Sequence, residues 1–305
     1  MCIRDRSAAD RGDAMTVTQP AATASRVRAP LPGGPVWRIF GDVRSLLLAP
    51  ELLLLQVAHP VVGAGVADHS NFRAEPWPRL GRTLLSLSTV IYGGQEAATA
   101  EARRLIGVHA GMKGLDASGR RYHALHPEAY HWVHATLVKA PVDAMRLFGP
   151  GLGEDELAAY YREMRDVGRV WGLKDYHLPP DWPSFLAYYD AMVADRLEPN
   201  RSVRDVLDAL ASPARPAPWV PDALWRPVAR AAGRAALFVT VGVLPPVLRE
   251  RFGLSWSPRQ ERRLRRFARV VRLLVAPLPV RLRVALGGVL ARRAGRRGRA
   301  RAASA

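Results

Sequence analysis

Prolines head the apolar stretches of this chain and glycines close them, a punctuation that suits helices and leaves little room for strands. Pro50 opens a predicted helix over 50–58 that stops before Pro60. Pro78 takes the first turn of a helix over 78–92, ended by Gly93 and Gly94, and a further helix over 95–112 runs out near Gly114. Residues 114–121 are rich in turn formers and read as a loop or a small hairpin. Helices over 127–140, over 154–173 with an acidic first turn, and from Asp181-Trp-Pro to about Leu197 follow. Ser202 with Asp205 has the spacing of a capping box for the next one. Alternation at period two is scarce, so the expected fold is all-α, a single large helical domain with a basic amphipathic C-terminal helical extension.

The opening hexapeptide, Met1 to Arg6, resembles the translation of a sequencing-library adapter, so Met15 is read as the start. Cys2, the only cysteine, then falls outside the natural chain, and any metal must be held by His, carboxylate or a cofactor. The expected organisation is an upstream artefact over 1–14, a disordered segment over 15–35, a helical core over 36–211, a Pro-rich linker over 212–221, C-terminal helices over 222–290 and a disordered basic tail over 291–305.

Charge is uneven. Between Arg259 and Arg301 stand 15 arginines against the single Glu261, so this stretch carries +14 of the net +18. The body is only mildly basic, and a nucleic-acid-binding core is not indicated. Ser257 and Pro258 supply helix-start signals there. Leu264, Phe267, Ala268, Val271, Leu274 and Val275 then fall on one side and Arg259, Arg262, Arg263, Arg265, Arg266, Arg269 and Arg272 on the other. Two readings stand side by side: attachment to an anionic membrane surface, at about 1 kcal/mol per basic residue near the lipid, or a core-packing helix with a solvated arginine face.

Two apolar stretches bear on membrane insertion. Residues 46–66 are long enough to span, but Glu51, Gln56, His59, two prolines and two glycines interrupt them, and 235–248 is cut short by Pro245-Pro246. Both read as buried helices. No secretory signal follows Met15, so the expected location is cytoplasmic, or peripheral at the inner face of the membrane.

No Gly-rich phosphate loop, G-x-S-x-G elbow or H-E-x-x-H pair is present, which removes the common nucleotide, hydrolase and zinc-protease readings. Histidines remain: five of the eight lie between His109 and His134. His109 shares a helical face with Ala98, Ala102, Leu105 and Ile106. That is either a satisfied core imidazole or a ligand set above small residues that would let a flat macrocycle approach. Arg79, Arg82 and Thr83, at i, i+3 and i+4, project from one face and either pair with carboxylates of the protein or bind an anionic ligand. His131 and His134 resemble half of a carboxylate-bridged metal site whose Glu-x-x-His partners are not visible. His123 and His126 fall in or beside the loop and suit the surface.

Taken together, Leu55-Gln-Val-Ala-His59-Pro, the run from Gly63 through His69 to Phe72, Arg79-Leu-Gly-Arg82-Thr83, Tyr92-Gly, His109 with Lys113-Gly114, Gly119-x-x-Tyr122, and His126-Pro-Glu-x-x-x-Trp132-Val-His134-x-Thr136-Leu resemble the MpaB-type oxygenase and rubber oxygenase (latex clearing protein) family. The resemblance covers about residues 40–197. It implies an all-helical domain that binds haem b and uses dioxygen to cleave or oxidise carbon–carbon double bonds of a hydrophobic, prenyl or terpenoid-like substrate. Carried onto this chain, His109 would be the proximal iron ligand, and Arg79, Arg82 and Thr83 would form the distal side. Rubber oxygenases place a lysine where Arg82 stands. Arginine cannot readily donate a lone pair, so an open or water-filled sixth position is expected, with Arg82 as a hydrogen-bond donor to oxygen. His59, His69 and His134 are candidates for supporting hydrogen bonds. With His131 they would alternatively hold non-haem iron. A non-catalytic, membrane-associated helical protein is the reading from outside enzymology.

Overall fold

The computed structural model describes residues 28–70, 72–285 and 288–289. The expectations for 1–14, for most of 15–35 and for 291–305 lie outside these residues.

Helix α1 (Pro35–Phe40) leads through a 3-10 turn (Val43–Leu48) into α2 (Ala49–Ala58) and α3 (Pro60–His69). The hairpin of α4 (Pro76–Tyr92) and α5 (Gly94–Ala110) follows. Next come two short antiparallel strands, β1 (Lys113–Leu115) and β2 (Arg121–His123), paired with Gly114 opposite Tyr122. Then come α6 (Pro127–Phe148), α7 (Glu154–Val170), α8 (Trp182–Asp195), α9 (Arg201–Ala211), α10 (Asp222–Val243), α11 (Pro246–Arg251), α12 (Pro258–Val275) and α13 (Val280–Arg283). The architecture is all-α, as expected, with the small hairpin as its one sheet among the described residues.

Helix α6 is the axis of the core. Trp132 is fully buried and donates from Nε1 to the Leu55 carbonyl at 2.9 Å, locking α6 to α2. Tyr160 of α7 donates to the Val138 carbonyl at 3.1 Å. The expected stop at Ala140 is not made: α6 runs on through Pro141, because its far half buries Val142, Ala144, Met145 and Phe148, and packing outweighs the missing donor. The C-terminal helices join the same body, α10 packing on α9, α2 and α12, and α12 on α6. No helix forms over 212–221.

The apolar stretch at 46–66 is broken at His59, whose backbone is extended, and its two parts are bent by 100°. Asn200 Nδ2 donates to the Val57 carbonyl and Ser202 Oγ to that of Gly63, both at 2.7 Å, sealing the bend. Gly63 is required here, since a Cβ would lie 2.5 Å from the Asn200 amide nitrogen. Among the described residues no single helix is long and apolar enough to cross a membrane; this bent pair passes by length and composition only.

Two details correct the sequence reading. The cap of α9 is Asn200, which accepts from Val203 N at 3.0 Å, not Ser202 with Asp205. Ser202 is spent on Gly63 and Asp205 is paired with Arg73 at 2.9 Å. In α12 the Ser257–Gln260 capping box forms, and Leu264 and Ala268 are buried, but Leu274, expected on the packed side, is 68% exposed.

Candidate functional site

The α4–α5 hairpin turns at Gly93 and Gly94. A Cβ at Gly93 would sit 2.4 Å from the Thr89 carbonyl, and Gly94 has φ +80°, so both positions call for glycine. Ser86 of α4 donates to Glu101 of α5, which also takes a two-pronged contact from Arg104. Counting seven residues outward from that bond on each helix sets Arg79 opposite Val108, the neighbour of His109. Arg79, Arg82, Thr83 and His109 therefore occupy the same end of one antiparallel hairpin.

His109 lies in the last turn of α5, its ring edge-on to Tyr130 of α6 with centroids 6.0 Å apart. Its Nδ1 is buried and without a hydrogen-bond partner. Burial, and secondarily the charge of Arg104, lowers its pKa, so the imidazole is neutral and has a lone pair to give. Arg79 is half-buried, 5.7 Å above the Phe72 ring. Burial and then the Arg82 charge push its pKa below the usual arginine range. Neither Arg79 nor Arg82 meets a carboxylate among the described residues. The pairing with protein carboxylates that would make these arginines structural is absent there. Arg82 and Thr83 are exposed.

His123 Nε2 lies 3.2 Å from the Ala110 carbonyl, next to His109, whereas His59, His69, His131 and His134 make other contacts. At the α2–α3 bend, His59 is buried with Nε2 3.1 Å from Glu128 Oε1, the oxygen that also accepts from Arg196 at 2.6 Å. Burial lowers its pKa against the pull of Glu128. His69 lies edge-on to Tyr122, which donates to Asp68 at 2.5 Å. His134 turns away from the hairpin to the Met164 carbonyl of α7, and His131 stacks on Tyr188 at 4.3 Å. Among the described residues no three His, Cys, Asp or Glu side chains are gathered so as to hold a metal ion. Tyr130 behind His109, Phe72 beneath Arg79 and the Glu128–Arg196 pair on His59 are not signalled in the sequence, because each contact joins separate elements.

The hairpin end thus offers one neutral imidazole and two arginines that meet no counter-charge among the described residues. A metal-centred macrocycle with acidic substituents would satisfy all three.

A family model described as "ER-bound oxygenase mpaB/B'/Rubber oxygenase, catalytic domain" matches residues 37–273. Uncharacterized proteins of Mycobacterium bovis and Mycobacterium tuberculosis are each 31% identical to the chain over 244 residues, 77% of this chain and 91% of theirs. No solved structure matches.

Proposed function

Since the chain belongs to the mpaB and rubber oxygenase catalytic-domain family, and its activity is of that oxygenase kind, we propose that it holds haem b at the open end of the α4–α5 hairpin and oxidises a hydrophobic, alkene-containing substrate with dioxygen. The observation that carries this reading is that, among the described residues, Arg79 and Arg82 meet no carboxylate while His109, at the same end of the hairpin, is neutral with a buried Nδ1 that makes no hydrogen bond. Haem supplies one iron for the imidazole and two carboxylates for the guanidinium groups, and its iron supplies the dioxygen chemistry.

The protein's part is binding and orientation. His109 would be the residue that holds the iron, and Tyr130 limits how far its ring can swing. Arg79, held over Phe72, would bind an acidic substituent of the group in a half-buried setting where a charge-assisted bond is stronger than in water. Arg82 and Thr83, exposed on the same face, would offer hydrogen-bond donors beside the bound group. Trp77, Leu80 and Val108 are exposed apolar side chains at this end of the hairpin, which suits a prenyl or terpenoid-like substrate. Haem asks for one protein ligand, whereas non-haem iron asks for several, and although the His131 and His134 rings stack 6.4 Å apart, no third His, Cys, Asp or Glu joins them among the described residues.

The test is an absorption spectrum of the haem-supplied protein before and after dithionite, beside His109→Ala. A Soret band that shifts on reduction and is lost in the variant is expected. An unchanged spectrum in His109→Ala would overturn the ligand assignment, and a colourless protein would overturn the haem reading.

A further inference from the structure

Helix α12 has two apolar sides. The inner stripe, Leu264, Phe267, Ala268 and Val271, packs on α10 and α6. The outer side carries Arg259, Arg263 and Arg266 along its first turns and then changes character. Val270, Leu273 and Leu274 are 51%, 69% and 68% exposed, at the i, i+3 and i+4 spacing of one face. The uncovered surface continues through Leu278 and Val280 to Leu282 of α13, which is 61% exposed. Arg283 of α13 lies 3.9 Å from Asp42, the residue that caps the Val43–Leu48 turn, so exposed Val43 and Leu46 border the same surface. Leucines left in water over this extent mark a binding surface.

The charge around the patch identifies its occupant. Among the described residues Arg262, Arg263, Arg266, Arg269 and Arg281 have no carboxylate within ion-pair distance, while Arg265 reaches Glu261 at 4.0 Å and Arg283 reaches Asp42. The sequence beyond α13 adds six more arginines. A second copy of the chain would set arginine against arginine across the contact, whereas an anionic lipid surface is complementary both to the basic flank and to the leucines it surrounds.

We infer that the C-terminal half of α12 and α13 dock the protein onto the surface of an anionic bilayer. Val270, Leu273, Leu274 and Leu282 enter the acyl boundary, and the arginines of α12 and α13 lie among the headgroups. The helices lie on the membrane rather than crossing it. This docking is independent of the haem reading.

The experiment is flotation of the full chain with vesicles of phosphatidylglycerol and phosphatidylcholine, and with phosphatidylcholine alone. It is run beside the double variant Leu273→Asp, Leu274→Asp and the double variant Arg266→Glu, Arg269→Glu, whose folding is checked by circular dichroism. The expected result is capture by the anionic vesicles only, weakened about tenfold or more in either folded double variant. Three results would overturn the inference: no capture of the parent chain, capture that neither folded variant weakens, or a dimer in sedimentation that the leucine variant dissolves. If the leucine variant does not fold, the arginine variant decides alone.

Discussion

His134 donates from Nε2 to the main-chain carbonyl of Met164 at 2.8 Å, and since a carbonyl only accepts, the proton sits on Nε2. The bond ties α6 to α7 at a point where Gly168 alone leaves room: a Cβ there would lie 3.0 Å from Leu178 Cδ2 and 3.1 Å from that same nitrogen. His134→Ala opens a cavity and removes the bond between the two helices, a loss of about 2–4 kcal/mol in denaturant unfolding. Gly168→Ala overpacks the same contact and costs about 1–3 kcal/mol. A wild-type midpoint in either variant would show that the contact contributes nothing.

Acid should loosen the fold. Burial holds His131 at about 3 and His134 at about 4, against 6.5 outside the fold. The unfolded chain therefore binds more protons below pH 6.5, and the stability that is complete above 6.5 is lost as pH falls toward 4. Thermal midpoints at pH 7, 5.5 and 4.5 should descend in that order. His131→Phe, which keeps the stack on Tyr188, should descend less steeply.

Alkali acts through Glu51. Buried in α2, with Asp143 adding repulsion and Lys139 opposing it, its pKa rises to about 8. The fold therefore holds this proton more tightly than the unfolded chain does, and the stability present below pH 4.5 is lost as pH rises through about 8. Glu51→Gln keeps the neutral shape, so its midpoint should lie closest to the parent's near pH 4.5 and rise increasingly above it as pH climbs to 8.5. A parallel decline of both proteins would place the titration elsewhere.

Arg79 is the residue for separating cofactor binding from folding. Its charge is half-buried and meets no carboxylate among the described residues, so Arg79→Met should leave the thermal midpoint of the haem-free protein unchanged or raised. The same change should weaken haem retention by about tenfold or more, measured by transfer to apomyoglobin. Equal retention would remove Arg79 from the site.

What the sequence made legible was local. Pro50, Gly93 and the Ser257-Pro258 pair announce helix ends because first-turn prolines, turn glycines and caps act within a few residues. The continuation of α6 through Pro141 was not legible, because the burial that sustains it comes from other helices. The cap of α9 was misread at Ser202 because that hydroxyl is claimed by Gly63, 139 residues away. At the site, the Arg79, Arg82 and Thr83 face and the alanine-lined face of His109 follow from helical spacing. That Arg79 and Arg82 meet no carboxylate among the described residues, and that Tyr130 backs His109, are facts of tertiary packing.

The bend at His59 sets an order of events during synthesis. Its apolar arms leave the ribosome early, but Asn200 and Ser202, which close it, follow some 140 residues later. At roughly 5–20 residues per second the stretch stays unsealed for several seconds or more, a long interval for so apolar a segment. The nascent chain is therefore most dependent on a chaperone between the emergence of α2 and that of α9, and stalled products ending before Asn200 are the ones most prone to aggregate.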